Sequence, residues 1–475
     1  MSSRLKQLVL LPLPILALPI FLFGTSRTDD GPFRADHPTR VRKLIICSPQ
    51  WEGIRFEFED AFRRHVNAQD GSDVEFTWYD QGGGTKILRW IEEQFAHRPD
   101  GIEADLMFGG GTDPYDTLKQ KGLLARYDPP PEVLDGVPAE IGGFPILDPD
   151  RTWFGTCLTS FGIMVNQRVF DIVPQLRGLQ PRTWEDLCDP RLHGWVGGAD
   201  PRGSSSYHTV YEILLQAHGF AHGMEVIRLM SGNTTAFTKF SAEVPKICAV
   251  GQTACAPAID QYALAQIDRV GDDVVSFRVP DHLSLVNPDA LGILKGAKNR
   301  ETAEMFVDFM LSREAAHLWM LRRGEAGGPR RYTLNRLAIR PAAYAETEGR
   351  TNLLENPFQR PLSIHYDYAR ASERWTILND ALGALVIDAH RELAAAVAAY
   401  HTLSGDTKQQ AAELLFANPF TEDELSALAR REWKEEKMRE TLRAKWLEFA
   451  RERYGAVVTL ANLRSADVST EDGPR

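Results

Sequence analysis

The stretch KLIICSPQWEGIRFEFEDAF, residues 43–62, decides the fold class. Residues 43–47 read as a short apolar strand. Ser48 and Pro49 read as an N-cap followed by the first helical residue. Ile54, Phe58, Ala61, Phe62 and Val66 then recur at helical spacing. The pattern repeats downstream. VEFTWY (74–79) alternates as a strand, DQGGGT (80–85) breaks the chain, and Ile87, Leu88, Ile91 and Phe95 mark a second helix. ADLMFG (104–109) is a third strand and runs into GGGTDP (109–114). The order β-α-β-α-β implies a parallel sheet with helices on its faces. Such sheets bind ligands beyond the carboxyl ends of their strands. Those ends fall at 48–51, 81–85 and 109–114, which are rich in glycine, hydroxyl and aromatic groups. Glycine lets a ligand approach the backbone, so Trp51, Gly83, Gly84, Gly110 and Thr112 are candidate ligand contacts.

The totals set outer bounds. At 475 residues the chain is too long for one compact core. A net charge of −11 argues against a general nucleic-acid binder, which needs a dense basic footprint. Residues 8–23, LVLLPLPILALPIFLF, form an uncharged apolar run after Arg4 and Lys6. Residues 1–24 therefore read as a signal peptide or membrane anchor, and 25–41 as a Gly- and Pro-containing linker. The five cysteines (Cys47, Cys157, Cys188, Cys248, Cys255) show no CxxC and no zinc-ligand spacing. They read as buried small hydrophobes; export would permit a disulfide, though the odd count leaves one outside any intramolecular pairing.

A second α/β segment covers residues 149–284. WFGTCLTSFGIMVNQ (153–167) is strand-rich, TWEDL (183–187) a short helix, and GWVGGAD (194–200) a strand. In ADPRGSSSYHTVYEILLQAHG (199–219), Tyr207, Val210, Tyr211, Leu214 and Leu215 form one apolar stripe, and Gly219 ends the helix. A helix N-terminus presents unpaired N–H groups and the positive end of the dipole. Ser204, Ser205 and Ser206 add hydroxyls there, and Arg202 adds a planar cation suited to carboxylate or phosphate. This is an expected anion pocket, with a plain serine cap as the bland alternative. A further helix (241–251) precedes ACAPAIDQY (254–262), read as a strand ending at Asp260 and Tyr262, both candidates for the cleft.

Competing motifs fail. GGGTK (82–86) lacks the P-loop gap, no G-x-G-x-x-G opens a helix after a strand, and neither G-x-S-x-G nor H-E-x-x-H occurs. His218 and His222 are four apart, but Gly219 would break the helix that metal ligation needs. No catalytic residue, metal site or cofactor is expected.

Residues 282–299 read as a strand pair returning to the first sheet, and 299–321 as a helix pair broken at Ser312, with Asn299 and Ser312 as N-caps. From about 346 the composition shifts. Residues 374–403 form a long Ala-rich helical run. Residues 420–454 are heavily charged, with Thr421 and Glu424 as a capping box.

The order of these pieces resembles the class II solute-binding proteins of bacterial ABC importers, especially the branch around ferric-ion-binding proteins. The resemblance rests on SPQWEGIRFEFEDAF (48–62), DLMFGGGTDPYDTLKQKGLLARYD (105–128), TWEDLCDPRLHGWVGGADPRGSSS (183–206), NPDALGILKGAKNRETAEMFVDFMLSREA (287–315) and YTLNRLAIRP (332–341). It implies an α/β, two-lobed periplasmic-binding-protein type II fold with a C-terminal helical extension. Lobe 1 would span 42–148, completed by 285–345; lobe 2 would span 149–284; the extension would span 346–475. In ferric-binding relatives a helix start resembling the serine run holds a phosphate beside the metal, which implies anion contacts for Ser204, Ser205 and Ser206. Their first-loop His falls on Trp51, their third-loop Glu near Gly110, and their tyrosine pair on Tyr262 and Ala263. Losing three of four protein ligands argues against simple iron capture.

The resemblance implies a periplasmic or extracytoplasmic protein, a monomer without catalysis, that delivers a small anionic or polar solute to a membrane permease. In that reading Arg202 pairs with the solute's charge, Trp51 and the glycine loops cover it, and Asp260 and Tyr262 read its polar groups. The alternatives are a ferric-iron carrier using Tyr262 with an exogenous anion, a membrane-anchored enzyme, and a partner-docking protein whose cleft is filled by its own side chains.

Overall fold

A computed structural model describes residues 40–471 apart from 81–83, 282, 354, 360–363, 365, 432 and 434. The apolar run 8–23 and the expected contact Gly83 lie outside the described residues.

The first sheet forms as the β-α-β-α-β pattern predicts. Strand β1 (Val41–Cys47) is followed by α1 (Glu52–Asp70), β2 (Asp73–Tyr79), α2 (Gly84–His97), β3 (Leu106–Phe108) and α3 (Asp113–Gln120). β1 lies between β2 and β3, parallel to both. All five apolar positions of the α1 stripe are buried, each stabilising by roughly 1.5–3 kcal/mol for a large side chain. The helix start differs from the sequence reading. Ser48 is no N-cap: its Oγ accepts from the Gln50 N–H at 3.1 Å, a turn that delays the helix. Helix α1 begins after Trp51, without a side-chain cap.

Strand β4 (Phe154–Asn166) is buried along all 13 residues, as expected of a strand covered on both faces. Beyond it come β5 (Val196–Ala199), α4 (Ser205–His218), α5 (Phe220–Gly232), β6 (Thr234–Thr238), β7 (Cys255–Ile259), α5's successor helix α6 (Asp260–Val270), β8 (Val275–Arg278) and β9 (Val286–Ile293). The predicted strand through Tyr262 stops at Ile259, and Asp260 and Tyr262 lie in the first turn of α6. The predicted returning pair is the one strand β9. Then follow α7 (Arg300–Leu311), α8 (Arg313–Met320) and the short β10 (Leu337–Ala338). Ser312 caps α8 through the Ala315 N–H, whereas the Asn299 side chain caps nothing and donates to Asp105.

The strand order is β2-β1-β3-β9-β4-β7-β5-β6, with β8 and β10 also pairing with β4. β4 therefore joins two half-sheets. One apolar core packs on the first half, around Phe58, Phe62, Phe108, Phe306 and Trp319. The second half carries another core, around Trp184, Tyr207, Tyr211 and Ile227.

The C-terminal extension is helical: α9 (Tyr368–Leu382), α10 (His390–Thr402), α11 (Gly405–Leu415), α12 (Glu422–Arg431) and α13 (Glu436–Glu471). The single Ala-rich run is broken by a π-helical turn at Gly383–Ile387. Capping by Thr421 and Glu424 at α12 matches the sequence expectation. Ile377, Leu385, Val397, Trp446 and Tyr454 belong to the second core, so the extension is continuous with lobe 2.

Candidate functional site

The interlobe edge follows from strand pairing. β4 pairs with β9 up to Ser160 and with β7 from Phe161 onward. The Asp260 carboxylate sits at this change of partner. It accepts from the Ser160 N–H at 2.8 Å, the Ser160 hydroxyl at 3.0 Å and the Gln261 N–H at 2.6 Å. Burial pushes Asp260 up to about 6, while Arg336 and these donors pull it back. Sequence reasoning gave Asp260 to the solute; the structure commits it to the backbone where the lobes meet.

Arg336 carries no motif of its own in the sequence, where it stands between Asn335 and Leu337. It is fully buried and donates to Gln261, Thr159 and Asp289, with its guanidinium 5.8 Å from the Trp319 ring centroid. It ties β4, β9 and the start of α6 together across the boundary. Tyr262 is half-buried beside this cluster, and burial raises its phenol above the ordinary value.

On the lobe 1 side, Trp51 is 45% exposed. Its ring folds over Gly53, where a Cβ would come within 2.1 Å of it, and meets Tyr332 edge-on at 5.2 Å. Gly109 and Gly110 have φ of 98° and 85° and exchange backbone bonds with Ala290 of β9. This carries the loop 109–112 along β9 toward lobe 2. The buried Gln50 amide packs on Gly109, and Asn287 lies beside Gly111. Gln50 Nε2 and Asn287 Oδ1 are buried without hydrogen-bond partners among the described residues. Gln50 lay inside the loop flagged from sequence; nothing marked Asn287. Thr112 is buried and donates to the Tyr368 hydroxyl at 3.3 Å. Gly84 opens α2 beyond the end of β2.

On the lobe 2 side, β7 runs antiparallel to β4 and ends at the boundary, and β5 runs parallel to β7. The start of α4, a few residues beyond β5, therefore lies at the same edge. Ser204 is its N-cap, accepting from the Tyr207 N–H at 3.3 Å. Ser205 is exposed and Ser206 half-buried. The expectation of a free Arg202 is not met. Its guanidinium is filled by carboxylates of its own chain, Asp200 at 2.7–3.0 Å and Asp388 at 2.8 and 2.9 Å. The physical reason is the extension, whose π turn sets Asp388 against it.

Among the described residues no three His, Cys, Asp or Glu side chains converge on a metal-sized site. Beside the Asp260 and Arg336 cluster, the groups at this edge include amides, hydroxyls and backbone N–H groups, which suit hydrogen-bonding a guest.

Residues 104–325 match the bacterial extracellular solute-binding protein family. This stretch, just under half of the chain, is what the chain shares with that family. Among curated relatives, the chain is 26% identical over 251 residues to an uncharacterized protein of Haemophilus influenzae, covering 52% of this chain and 68% of the relative. It is 24% identical over 259 residues to the phosphoglycerate transport regulatory protein PgtC of Salmonella typhimurium, covering 52% of this chain and 63% of PgtC. Its fold is that of the periplasmic binding protein AfuA of Actinobacillus pleuropneumoniae, solved with fructose-6-phosphate, at a TM-score of 0.56 and 20% identity, covering 75% of this chain and 97% of AfuA. The apo ferric ion-binding protein A of Pasteurella haemolytica aligns at a TM-score of 0.50 and 13% identity, over 70% of this chain and 96% of that one. The family and these neighbours are binding proteins, and the family is an extracellular one. No helix of the described residues is long and apolar enough to cross a membrane.

Proposed function

We propose that this chain is a solute-binding protein that captures a small organic anion, carboxylated or phosphorylated, between its lobes and hands it to an ABC permease in the membrane. The observation that carries this reading is the start of α4. A 14-residue helix begins at the interlobe edge with Ser205 exposed and Ser206 half-buried. Its first-turn N–H groups beyond the one held by Ser204 have no partner within the helix. Together with the dipole they favour an anion. With Arg202 occupied, these groups supply the charge recognition. Trp51, Gly110 and Thr112 would cover the guest from lobe 1, with Gly84 near the neighbouring strand end and Tyr262 from lobe 2. Asp260 would position the boundary rather than touch the solute. The phosphoglycerate transport in the name of PgtC and the fructose-6-phosphate bound to AfuA support the class. Iron carriage through Tyr262 has less support, because among the described residues no three His, Cys, Asp or Glu side chains converge on a metal-sized site.

Isothermal calorimetry tests this with 3-phosphoglycerate, fructose 6-phosphate, citrate and inorganic phosphate. A saturable heat with one of the organic anions is expected, weakened roughly tenfold or more by Ser206→Glu, since an added carboxylate repels the guest at close range. Silence with every probe, or equal affinity in the variant, would overturn the reading.

A further inference from the structure

The extension is fixed to lobe 2 by buried polar contacts. Arg374 of α9 grips Glu212 of α4 through two bonds of 3.1 and 2.6 Å, with side chains 1% and 0% exposed. Asn379 bonds His208 at 2.7 Å. Arg228 of α5, buried, reaches the carbonyls of Phe416 and Ala417, the Asn418 side chain and the Tyr454 hydroxyl. A group this well paired moves with lobe 2 as one body, because breaking a buried charge pair costs several kcal/mol.

The same extension also touches lobe 1, at a few side chains. The Tyr368 hydroxyl, at the first residue of α9, accepts from Thr112 at 3.3 Å and lies close to the carboxyl groups of Asp113 and Asp116 at the start of α3. Two residues earlier, the Tyr366 ring lies 4.9 Å from Phe144. Phe144 belongs to a hairpin whose Ile141 and Ile146 are rooted in the lobe 1 core, while Phe144 itself enters the lobe 2 core. Gln216, near the end of α4, exchanges two hydrogen bonds with the Asp367 backbone and fixes the segment between these tyrosines to lobe 2.

We infer that the C-terminal extension is a latch between the lobes, carried by lobe 2 and fastened to lobe 1 through Tyr368 and Tyr366. The inference needs the two-lobed architecture but no particular solute. The latch sets how far the cleft opens, since rotation about β4 and β9 must first separate Tyr368 from Thr112 and Asp113. Its catch lies on the loop that the proposed function gives to the solute, so a guest reaching Thr112 would compete with Tyr368 for that hydroxyl.

Pulsed dipolar spectroscopy on the full chain tests this without a ligand. Spin labels are placed through Glu93→Cys in lobe 1 and Gln175→Cys in lobe 2, both exposed positions, with the half-buried Cys188 replaced by Ala. The unmodified latch should give one narrow interlobe distance. Tyr368→Ala should add a longer, broader population, and Tyr368→Phe, which keeps the ring and removes the hydroxyl, a smaller fraction of it. Should the Ala variant fail to fold, the Phe variant alone decides. A narrow, unchanged distribution in the folded variant, or a broad one in the parent, would overturn the latch. Neither result bears on solute affinity, so calorimetry on the parent judges the proposed function separately.

Discussion

Asp388 lies 186 residues from Arg202 in sequence and offers both carboxylate oxygens to its guanidinium, at 2.9 and 2.8 Å. The fit depends on Gly383, where any Cβ would sit 2.8 Å from Arg202 Cδ, and on the π turn that follows. The side chains remain 25% and 35% exposed, so solvent screens much of the attraction. Asp388→Ala should cost only about 0.5–1 kcal/mol. Arg202→Ala should cost more, since it leaves Asp200 and Asp388 facing each other. Urea midpoints at constant slope give the comparison; equal costs would show that the two carboxylates do not repel.

Glu212 and Arg374 set the opposite case. Their side chains are buried to within 1% and bonded twice. Removing one partner strands a charge without water. Arg374→Ala should therefore cost about 3–5 kcal/mol, and the paired replacement Glu212→Leu with Arg374→Met much less. Equilibrium unfolding of the three proteins checks the order. A double variant as unstable as the single one would mean that lost packing, not the bare charge, dominates.

His208 makes stability fall with acid. It is buried against Trp375, with ring centroids 3.6 Å apart, and burial lowers it from 6.5 to about 4. Arg374 pushes the same way; Glu212 and the Asn379 bond oppose. As the pH drops below 6.5 the unfolded chain takes the proton and the folded chain does not. The stability present above 6.5 is then lost toward about 4, at up to about 1.4 kcal/mol per pH unit. His208→Gln should lose less stability than the parent across that window. Parallel pH curves would show that His208 is not the responsible group.

What was legible in the sequence was what is local. The α1 stripe, the buried run of β4, the Ser312 cap and the capping box at Thr421 and Glu424 each depend on residues within a few positions of one another. The start of α1 is not legible at Ser48, because the serine has an equally good local bond, from the Gln50 N–H, outside a helix. The first turn of α6 reads as strand because Asp260 follows the apolar strand directly, with Ile259 at the N-cap position and no capping side chain. The commitments that define the site are long-range. Asp260 holds Ser160, Arg336 holds Asp289, and Tyr368 holds Thr112. Spacing carries no trace of such pairs, which is why Arg202 read as free and Arg336 went unnoticed.

The loop after β3 separates two effects that glycine substitutions usually mix. Gly109 and Gly110 both have positive φ, 98° and 85°. A Cβ on Gly110 would meet nothing within 4 Å, whereas one on Gly109 would lie 2.6 Å from Gln50 Nε2 and 2.9 Å from Gln50 Cδ and Cγ. Gly110→Ala should therefore cost only the backbone strain, about 1 kcal/mol or slightly more. Gly109→Ala should cost that strain plus the displacement of a buried amide, roughly 2–4 kcal/mol together. The double variant Gly109→Ala with Gln50→Ala removes the collision but also the packing of Gln50. Its loss should be smaller than the sum of the two single losses, because the clash is counted in only one of them. Thermal and urea unfolding of the four proteins measure this. Strict additivity would mean that Gln50 swings aside freely and does not hold the loop.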